Sequence, residues 1–412
     1  MTEPRPTLRG NRGFRLLLAS DAVSQAGTQV TVVAVPLIAV ITLGAGPLET
    51  GLLGAAQTAA PLLIGLQAGV WADRLRRRPI MIGADLVRAA LLLTLPLAWW
   101  LQVLTLSHLL VVALGMSAAT VFFDVAFRSY LPAVVEREQL VAGNGAVETV
   151  AGVARVSGPG LGGLLVQWLG PPVAVIVDTV SFLLSALLLR AIDVEEHPQA
   201  GPRPRIREGL AFLLGRPVVR APVFAATVCN FWALGIVAVL PVFMINEVGV
   251  SAAVFGTLLI AAAAGGLVGG VLAAPLARRV GQARLVWVSM AASLPFSLLL
   301  PLTAPGWGLA WFVAAFFMPN LGVAVFNIAQ LSYRQAVTPD RLLGRTTAAV
   351  RFLAWGSMPL GALAGGALAE LYGTATAILI CAVGQLLALA PLLASPLRVM
   401  RDYPGDGEAP RA

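Results

Sequence analysis

The chain reads as an all-α integral membrane protein, with twelve transmembrane helices arranged as two six-helix, pseudo-symmetric bundles. Three observations lead there. Twelve apolar stretches are each long enough to cross a bilayer core, which takes roughly 20 helical residues. The 28 basic residues, all arginine, avoid every second loop between those stretches. The second half of the chain also repeats wording of the first. With 58% hydrophobic and 12% charged residues and a mean hydropathy of +0.85, there is too little polar surface to solvate a globule, which excludes a soluble domain.

Residues 1–13 form a polar, Arg-bearing tail; no short apolar core with a small-residue cleavage site follows, so it reads as a cytosolic tail without a cleaved signal peptide. Span 14–42 then runs to an Arg-free loop, and spans 50–72 and 79–103 flank Arg74, Arg76, Arg77 and Arg78. Span 106–129 precedes a loop with Arg137, and spans 143–167 and 171–191 are separated by an Arg-free turn. Beyond the linker come spans 221–246, 251–277, 284–303, 306–332, 343–369 and 373–397, with arginines again at alternate ends. Because cytoplasmic loops retain positive charge, this alternation places both termini in the cytoplasm of a multi-pass cell-membrane protein.

Shifted by 201 residues, the block from Gly69 to Arg78 lies on Gly270 to Arg279 and keeps six of ten residues. At a shift of 203, Phe123, Ser129 and Tyr130 lie on Phe326, Ser332 and Tyr333, and Gly162-Gly163 lies on Gly365-Gly366. Parallel repeats of six spans are a transporter architecture, with the substrate near the midplane between them. The domains expected are therefore the tail 1–13, a bundle 14–191, a cytosolic linker 192–220, a second bundle 221–397 and a tail 398–412. In the linker, Ile206, Leu210 and Leu213 share one face, which suits a short amphipathic helix on the inner membrane surface as well as it suits a plain tether.

The net charge of +8 comes from arginines in short loops, where they signal topology and meet lipid phosphates, so nucleic acid is not an expected partner. Cys229 and Cys381 are far apart and His108 and His197 are too few for a cluster, so neither a disulfide nor a metal site is expected. A phosphate-cradling Gly-rich loop followed by Lys is missing, and the chain has no lysine to make one. ATP hydrolysis is thus not the expected energy source.

The block Gly69-Val70-Trp71-Ala72-Asp73-Arg74-Leu75-Arg76-Arg77-Arg78 resembles the signature loop between the second and third helices of the major facilitator superfamily. The block Ala154-Arg155-Val156-Ser157-Gly158-Pro159-Gly160-Leu161-Gly162-Gly163 resembles that superfamily's fifth-helix antiporter motif, associated with exporters. Phe14-Arg15-Leu16-Leu17, Leu131-Pro132, Asp178 to Leu184 and Arg207-Glu208-Gly209-Leu210 are similar to the drug:proton antiporter branch that includes macrolide-efflux and enterobactin-exporter-like proteins. That branch often carries Asp directly after the first-helix Gly; here Gly27 is followed by Thr28.

The resemblance implies that Asp73 meets the start of the eleventh span, where the helix dipole favours an anion, and that Arg77 pairs with Asp124. Gly69 allows close approach in this loop, while Arg74 and Arg78 mark its cytoplasmic side. Gly158, Pro159, Gly162 and Gly163 leave a bare, bent helix face for close packing.

On the first span, Asp21, Ser24, Gln25, Thr28 and Gln29 fall on one face, which must line a wet cavity or another helix. Asp21, Glu148 and Asp178 are candidate proton-coupling acids, and each is also a candidate counter-ion for Arg155 in the middle of the fifth span. Asp85 and Arg88 read as a local i, i+3 pair near the cytosol. Asn230 and Trp232, with Phe312, Phe316, Asn320 and Asn327, offer aromatic and amide groups suited to a large, mostly apolar substrate, or to a helix-packing core.

The expectation is a monomeric, non-enzymatic secondary transporter that exports a small amphipathic organic compound by proton antiport, without cofactor, among membrane lipids. A lysophospholipid flippase or a proton-coupled uptake permease of the same fold is the nearest alternative. A transport-inactive sensor or assembly partner is a more distant one.

Overall fold

The computed structural model describes residues 8, 10–136, 139–194 and 206–402, without the side chains of 65–74, 206, 207, 336, 337, 340 and 341. Helices α1 (Arg12–Leu37), α2 (Pro47–Arg74), α3 (Arg77–Trp100), α4 (Leu106–Val134), α5 (Leu140–Leu169) and α6 (Pro171–Arg190) form the first half. After the short α7 (Ile206–Leu214) come α8 (Pro217–Val242), α9 (Ala252–Val280), α10 (Gln282–Ser293), α11 (Leu309–Val337), α12 (Asp340–Tyr372), α13 (Thr374–Leu386) and α14 (Leu389–Leu393). Among the described residues, eleven helices are long and apolar enough to cross a membrane, and the 28-residue α2 covers the remaining expected span. Large apolar side chains stay exposed along them, and exposed Trp100, Trp168 and Trp307 stand at Arg-free span ends, where amphipathic rings suit a headgroup layer.

The chain divides into two compact units, one of residues 1–203 and 250–260, the other of 204–249 and 261–412. In unit 1, Phe14, Leu17, Met81, Phe123, Tyr130 and Leu189 pack from α1, α3, α4 and α6 into one core. Asn11 ties two helix ends together, since its Oδ1 accepts from Phe14 N at 3.0 Å and its Nδ2 donates to the Val134 carbonyl at 2.8 Å. In unit 2, Ala225, Cys229, Met290, Phe326 and Leu392 form the corresponding core, and both cysteines are buried free thiols.

The repeat has a geometric expression. Arg12 and Pro217, Pro47 and Ala252, and Arg77 and Gln282, which start matching helices, are each 205 residues apart. The signature block aligned at a shift of 201 is therefore one helical turn out of structural register. An apolar helix repeats its pattern every 3.6 residues, so a four-residue slip preserves most matches. At the shift of 203 the match is structural: Gly170 (φ 79°) and Gly373 (φ 82°) both turn the chain in the left-handed region between adjacent helices. Both first helices also end in a widened turn, with Leu43 N bonded to Ile38 O at 3.0 Å and Val248 N to Phe243 O at 2.9 Å. Pro36 and Pro241, two residues upstream, remove a backbone donor from each ladder and crowd the preceding turn.

The linker helix α7 departs from the expected surface-lying arrangement. Leu213 is fully buried with Val219, Val223 and Val350, Glu208 is ion-paired with Arg345, and Gly209 sits against the Arg345 backbone. Burying one leucine contributes about 1.5–3 kcal/mol, so the apolar face is covered by unit 2 itself.

Arg78, expected to mark a side only, also holds a helix end. Its Nε donates to the Leu189 carbonyl at 3.0 Å and its Nη2 to that of Arg190, closing the C-terminus of α6. In unit 2 the residues that follow the last helix meet the start of α10. The Arg401 carbonyl accepts from Ala283 N and Arg284 N at 3.1 and 3.3 Å, and Asp402 Oδ1 accepts from Gln282 N at 2.9 Å, capping α10.

Candidate functional site

Inside unit 1, α1, α3, α4 and α6 enclose a polar cluster with almost no exposed surface. Asp178 on α6 is fully buried. Its Oδ2 accepts from the Thr31 hydroxyl of α1, and its Oδ1 accepts from Ser181 Oγ at 2.8 Å. Gly27 makes this contact possible, because a Cβ there would run into Ser181 Oγ and Asp178 Oδ1. Gly27 and Thr31 are one helical turn apart, so α1 presents a bare surface and a hydroxyl to the same carboxyl group.

On α3, Asp85 and Arg88 form the i, i+3 ion pair expected from the sequence, but buried in the core, with side chains 0% and 4% exposed. The Arg88 guanidinium is held between two phenyl faces, 4.4 Å from the Phe123 centroid and 4.2 Å from that of Phe182. Stacking of this kind contributes about 2 kcal/mol when desolvated. Asp178, Ser181, Phe182 and Ser185 recur at i, i+3, i+4 and i+7, so a single face of α6 supplies the acid, two hydroxyls and one wall of the sandwich.

Asp21 on α1 is also buried; its Oδ1 accepts from Gln25 Nε2 at 3.4 Å, while its Oδ2 has no hydrogen-bond partner. Asp21 and Asp178 both lie within electrostatic reach of Arg88, and Asp21 also of Asp124 and Glu148. The polar face of α1 thus turns toward other helices. Ser24 is buried, Thr28 is half-buried, and Gln29 packs against Gly158 of α5.

On α5, a Cβ at Gly158 would overlap Gln29, and one at Gly162 would come 3.1 Å from Val30 Cα, so these glycines let α5 lie directly on α1. Gly163 faces the other way, onto the first turns of α9 within the same unit, where a Cβ would stand 2.6 Å from the Ala252 carbonyl. Pro159 lies buried between them.

Of the three acids considered for Arg155, Glu148 is the partner, at 3.4 Å; Asp178 and Asp21 are committed elsewhere. Both members are exposed, 58% and 69%, so the mid-span Arg155 meets its counter-ion on an open face of α5. The long side chain runs back along its own helix toward the N-terminal turns and reaches the acid two turns earlier.

Arg77, half-buried, opens α3, and Asp124 is exposed on α4. The side chains of Gly69, Asp73 and Arg74 lie outside the described residues.

In unit 2, the residues considered for a substrate cavity are divided between buried contacts and exposed positions. Phe312 is fully buried and stacks on Phe316 with centroids 4.5 Å apart. Asn230 Nδ2 donates to the Ala354 carbonyl at 2.9 Å, joining α8 to α12, and the Trp232 ring covers Gly384 of α13. Asn320 and Asn327 are exposed on α11. Gly361 and Gly365 of α12 abut Phe231 and Gly235 of α8, as Gly158 and Gly162 abut α1 at a shift of 203.

Thr31, Ser181 and Ser185 were not singled out from the sequence. Their signal was present in the continuation of the polar face of α1 beyond Thr28, and in hydroxyls at helical spacing after Asp178.

The family model described as Major Facilitator Superfamily matches residues 17–362. The MFS-type transporter YfiS of Bacillus subtilis (strain 168) is 26% identical over 407 residues, covering 94% of each chain. The multidrug efflux pump Tap of Mycobacterium tuberculosis (strain ATCC 25618 / H37Rv) is 28% identical over 389 residues, covering 88% of each. Among solved structures, the nucleoside transporter NupG superposes with a TM-score of 0.73 at 13% identity, covering 93% of this chain and 98% of that one, a likeness of fold. With eleven helices of membrane length among the described residues and a family match over most of its length, the chain is a multi-pass membrane transporter of the Major Facilitator Superfamily.

Proposed function

We propose that the chain exports a small amphipathic organic compound in exchange for protons, by alternating access, as a monomer in the cell membrane with both termini in the cytoplasm. The proton gradient is the energy source, and no cofactor takes part. The observation that carries this reading is the closed polar cluster of unit 1, where Asp21, Asp85 and Asp178 are buried in reach of one guanidinium, Arg88. Apolar contacts suffice to hold a helix bundle together, and a charge buried in such surroundings costs several kcal/mol. Ionisable groups inside a membrane bundle are therefore kept for function.

Asp178 is the first choice for the coupling acid, ahead of Asp21, with the exposed Glu148 third. As a carboxylate it only accepts, and Thr31 and Ser181 both donate to it. A proton on Oδ2 makes that oxygen a donor, so the Thr31 hydroxyl has to turn from donor to acceptor. Because Thr31 and Asp178 link α1 to α6, the exchange re-sets that helix contact. Export rather than uptake is supported by the similarity to Tap, named as an efflux pump, over 88% of both chains.

The test uses inside-out vesicles, a pH-sensitive dye and a panel of macrolides, cationic dyes, siderophores and lysophospholipids. Substrate-induced proton release is expected from the parent protein and not from Asp178→Asn. Equal release from both would remove Asp178 from the coupling role, and proton movement with the substrate would indicate uptake.

A further inference from the structure

The basic ends of α11 and α12, in unit 2, carry a charge arrangement that proton antiport does not use. Arg334 stands in the last turn of α11, only 7% exposed, and its Nη1 is shut off from solvent without a hydrogen-bond partner. Among the described ion pairs none involves Arg334, and the charge within its reach is a second guanidinium, Arg351 of α12. One turn beyond Arg334, and so on the same face, Thr338 is 4% exposed and its Oγ1 also has no partner. Tyr333 packs on the apolar cluster that contains Val350, which brings the chain neighbours of Arg334 and Arg351 together.

A buried guanidinium facing a like charge is costly, and buried polar atoms in native structures almost always have partners. The missing partner has to be an anion that also accepts from a hydroxyl. Arg334 lies at the edge of the span Gly306–Gln335, at the Arg-bearing end, where lipid phosphates are found. A guanidinium fork matches phosphate oxygens with two parallel hydrogen bonds.

We propose that Arg334, Thr338 and Arg351 form a binding site for a phosphate group at the basic end of unit 2. The site goes beyond the transport reading and does not rest on it. The phosphate belongs to an anionic lipid headgroup or to a small soluble phosphate, and the two sources separate by experiment.

The full-length protein in a maltoside detergent is heated while tryptophan fluorescence is followed. Additions are inorganic phosphate against chloride at equal ionic strength, and dihexanoyl phosphatidylglycerol against net-neutral dihexanoyl phosphatidylcholine. A ligand that binds only the folded state raises the midpoint saturably. A rise with phosphatidylglycerol alone identifies a lipid site, and a rise with inorganic phosphate identifies a soluble ligand. In either case the rise is expected to vanish in Arg334→Gln and to shrink in Thr338→Val. If Arg334→Gln does not fold, the exposed Arg351→Gln reports instead. No rise with either phosphate, or an equal rise in the parent and in the arginine variants, would overturn the site.

Discussion

The guanidinium of Arg88 lies 4.2 Å from the ring centroid of Phe182, with Phe123 on its other face and Asp85 as its ion-pair partner. A planar cation held in this way cannot be replaced by a tetrahedral one without losing both stacking contacts. Arg88→Lys should therefore lower the thermal midpoint although it keeps the charge. Arg88→Met should cost more, about 3–5 kcal/mol, because it leaves Asp85 buried without a partner. The double variant Asp85→Asn with Arg88→Met should be milder than Arg88→Met alone. A double variant no better than the single would show that the pair does not balance its own burial.

Glycines divide by what surrounds them. At Gly361 a Cβ would meet the Phe231 carbonyl, whereas at Gly83, on α3, nothing lies within 4 Å. Gly361→Ala should separate α8 from α12 and lower the midpoint, with overpacking costs of about 1–3 kcal/mol. Gly83→Ala should raise stability by about 0.5–1 kcal/mol through the backbone freedom it removes from the unfolded chain. Thermal unfolding of both variants in one detergent checks the contrast, and a stabilised Gly361→Ala would contradict the close helix approach.

Arg78 closes α6 through two carbonyls. Removing it in Arg78→Ala should leave the protein in the membrane but increase amide exchange in the last turn of α6, around Leu187 to Arg190. Exchange unchanged there, measured by hydrogen–deuterium mass spectrometry, would mean that water replaces the side chain without loss.

Arg401 and Asp402, which follow the last helix, cap α10. Ending the chain at Arg398 should expose the first amides of α10 and cost about 1 kcal/mol, in line with loss of an N-terminal cap. Asp402→Asn, which retains an acceptor oxygen, should cost less. Equal losses would point to charge rather than hydrogen bonding as the source.

Span positions were legible in the sequence because hydropathy and arginine placement act over some twenty residues at a time, averaging out local detail. The buried ion pair was legible as a pair, since i, i+3 spacing brings Asp85 and Arg88 together whatever surrounds them. Its depth was not, because a charged pair on a helix reads the same whether its face meets solvent or two phenylalanines from other helices. For Arg155 the sequence left the choice among three acids open. Its position lies mid-span, but the side chain is long enough to run along α5 to Glu148 on an exposed face. The aromatic stripe with Phe312 kept both readings open: Phe312 is buried and stacks on Phe316 one turn along the same helix, while Asn320 and Asn327 of that stripe are exposed. The linker helix was recognisable from its one apolar face, whereas the choice between membrane and protein as cover depended on α8 and α12, which no local pattern reveals.

The widened turns at Ile38–Thr42 and Phe243–Glu247 each add one residue to a helix, at the same place in each half and two residues after a proline. An inserted residue rotates everything beyond it by about 100° around the helix axis, so losing it from one half alone would re-aim that half's loop and leave the other unchanged. Two independent insertions at one equivalent site, each behind its own proline, would be a coincidence. The likeness of the two halves thus extends beyond their apolar pattern to the direction in which each leading helix delivers its loop.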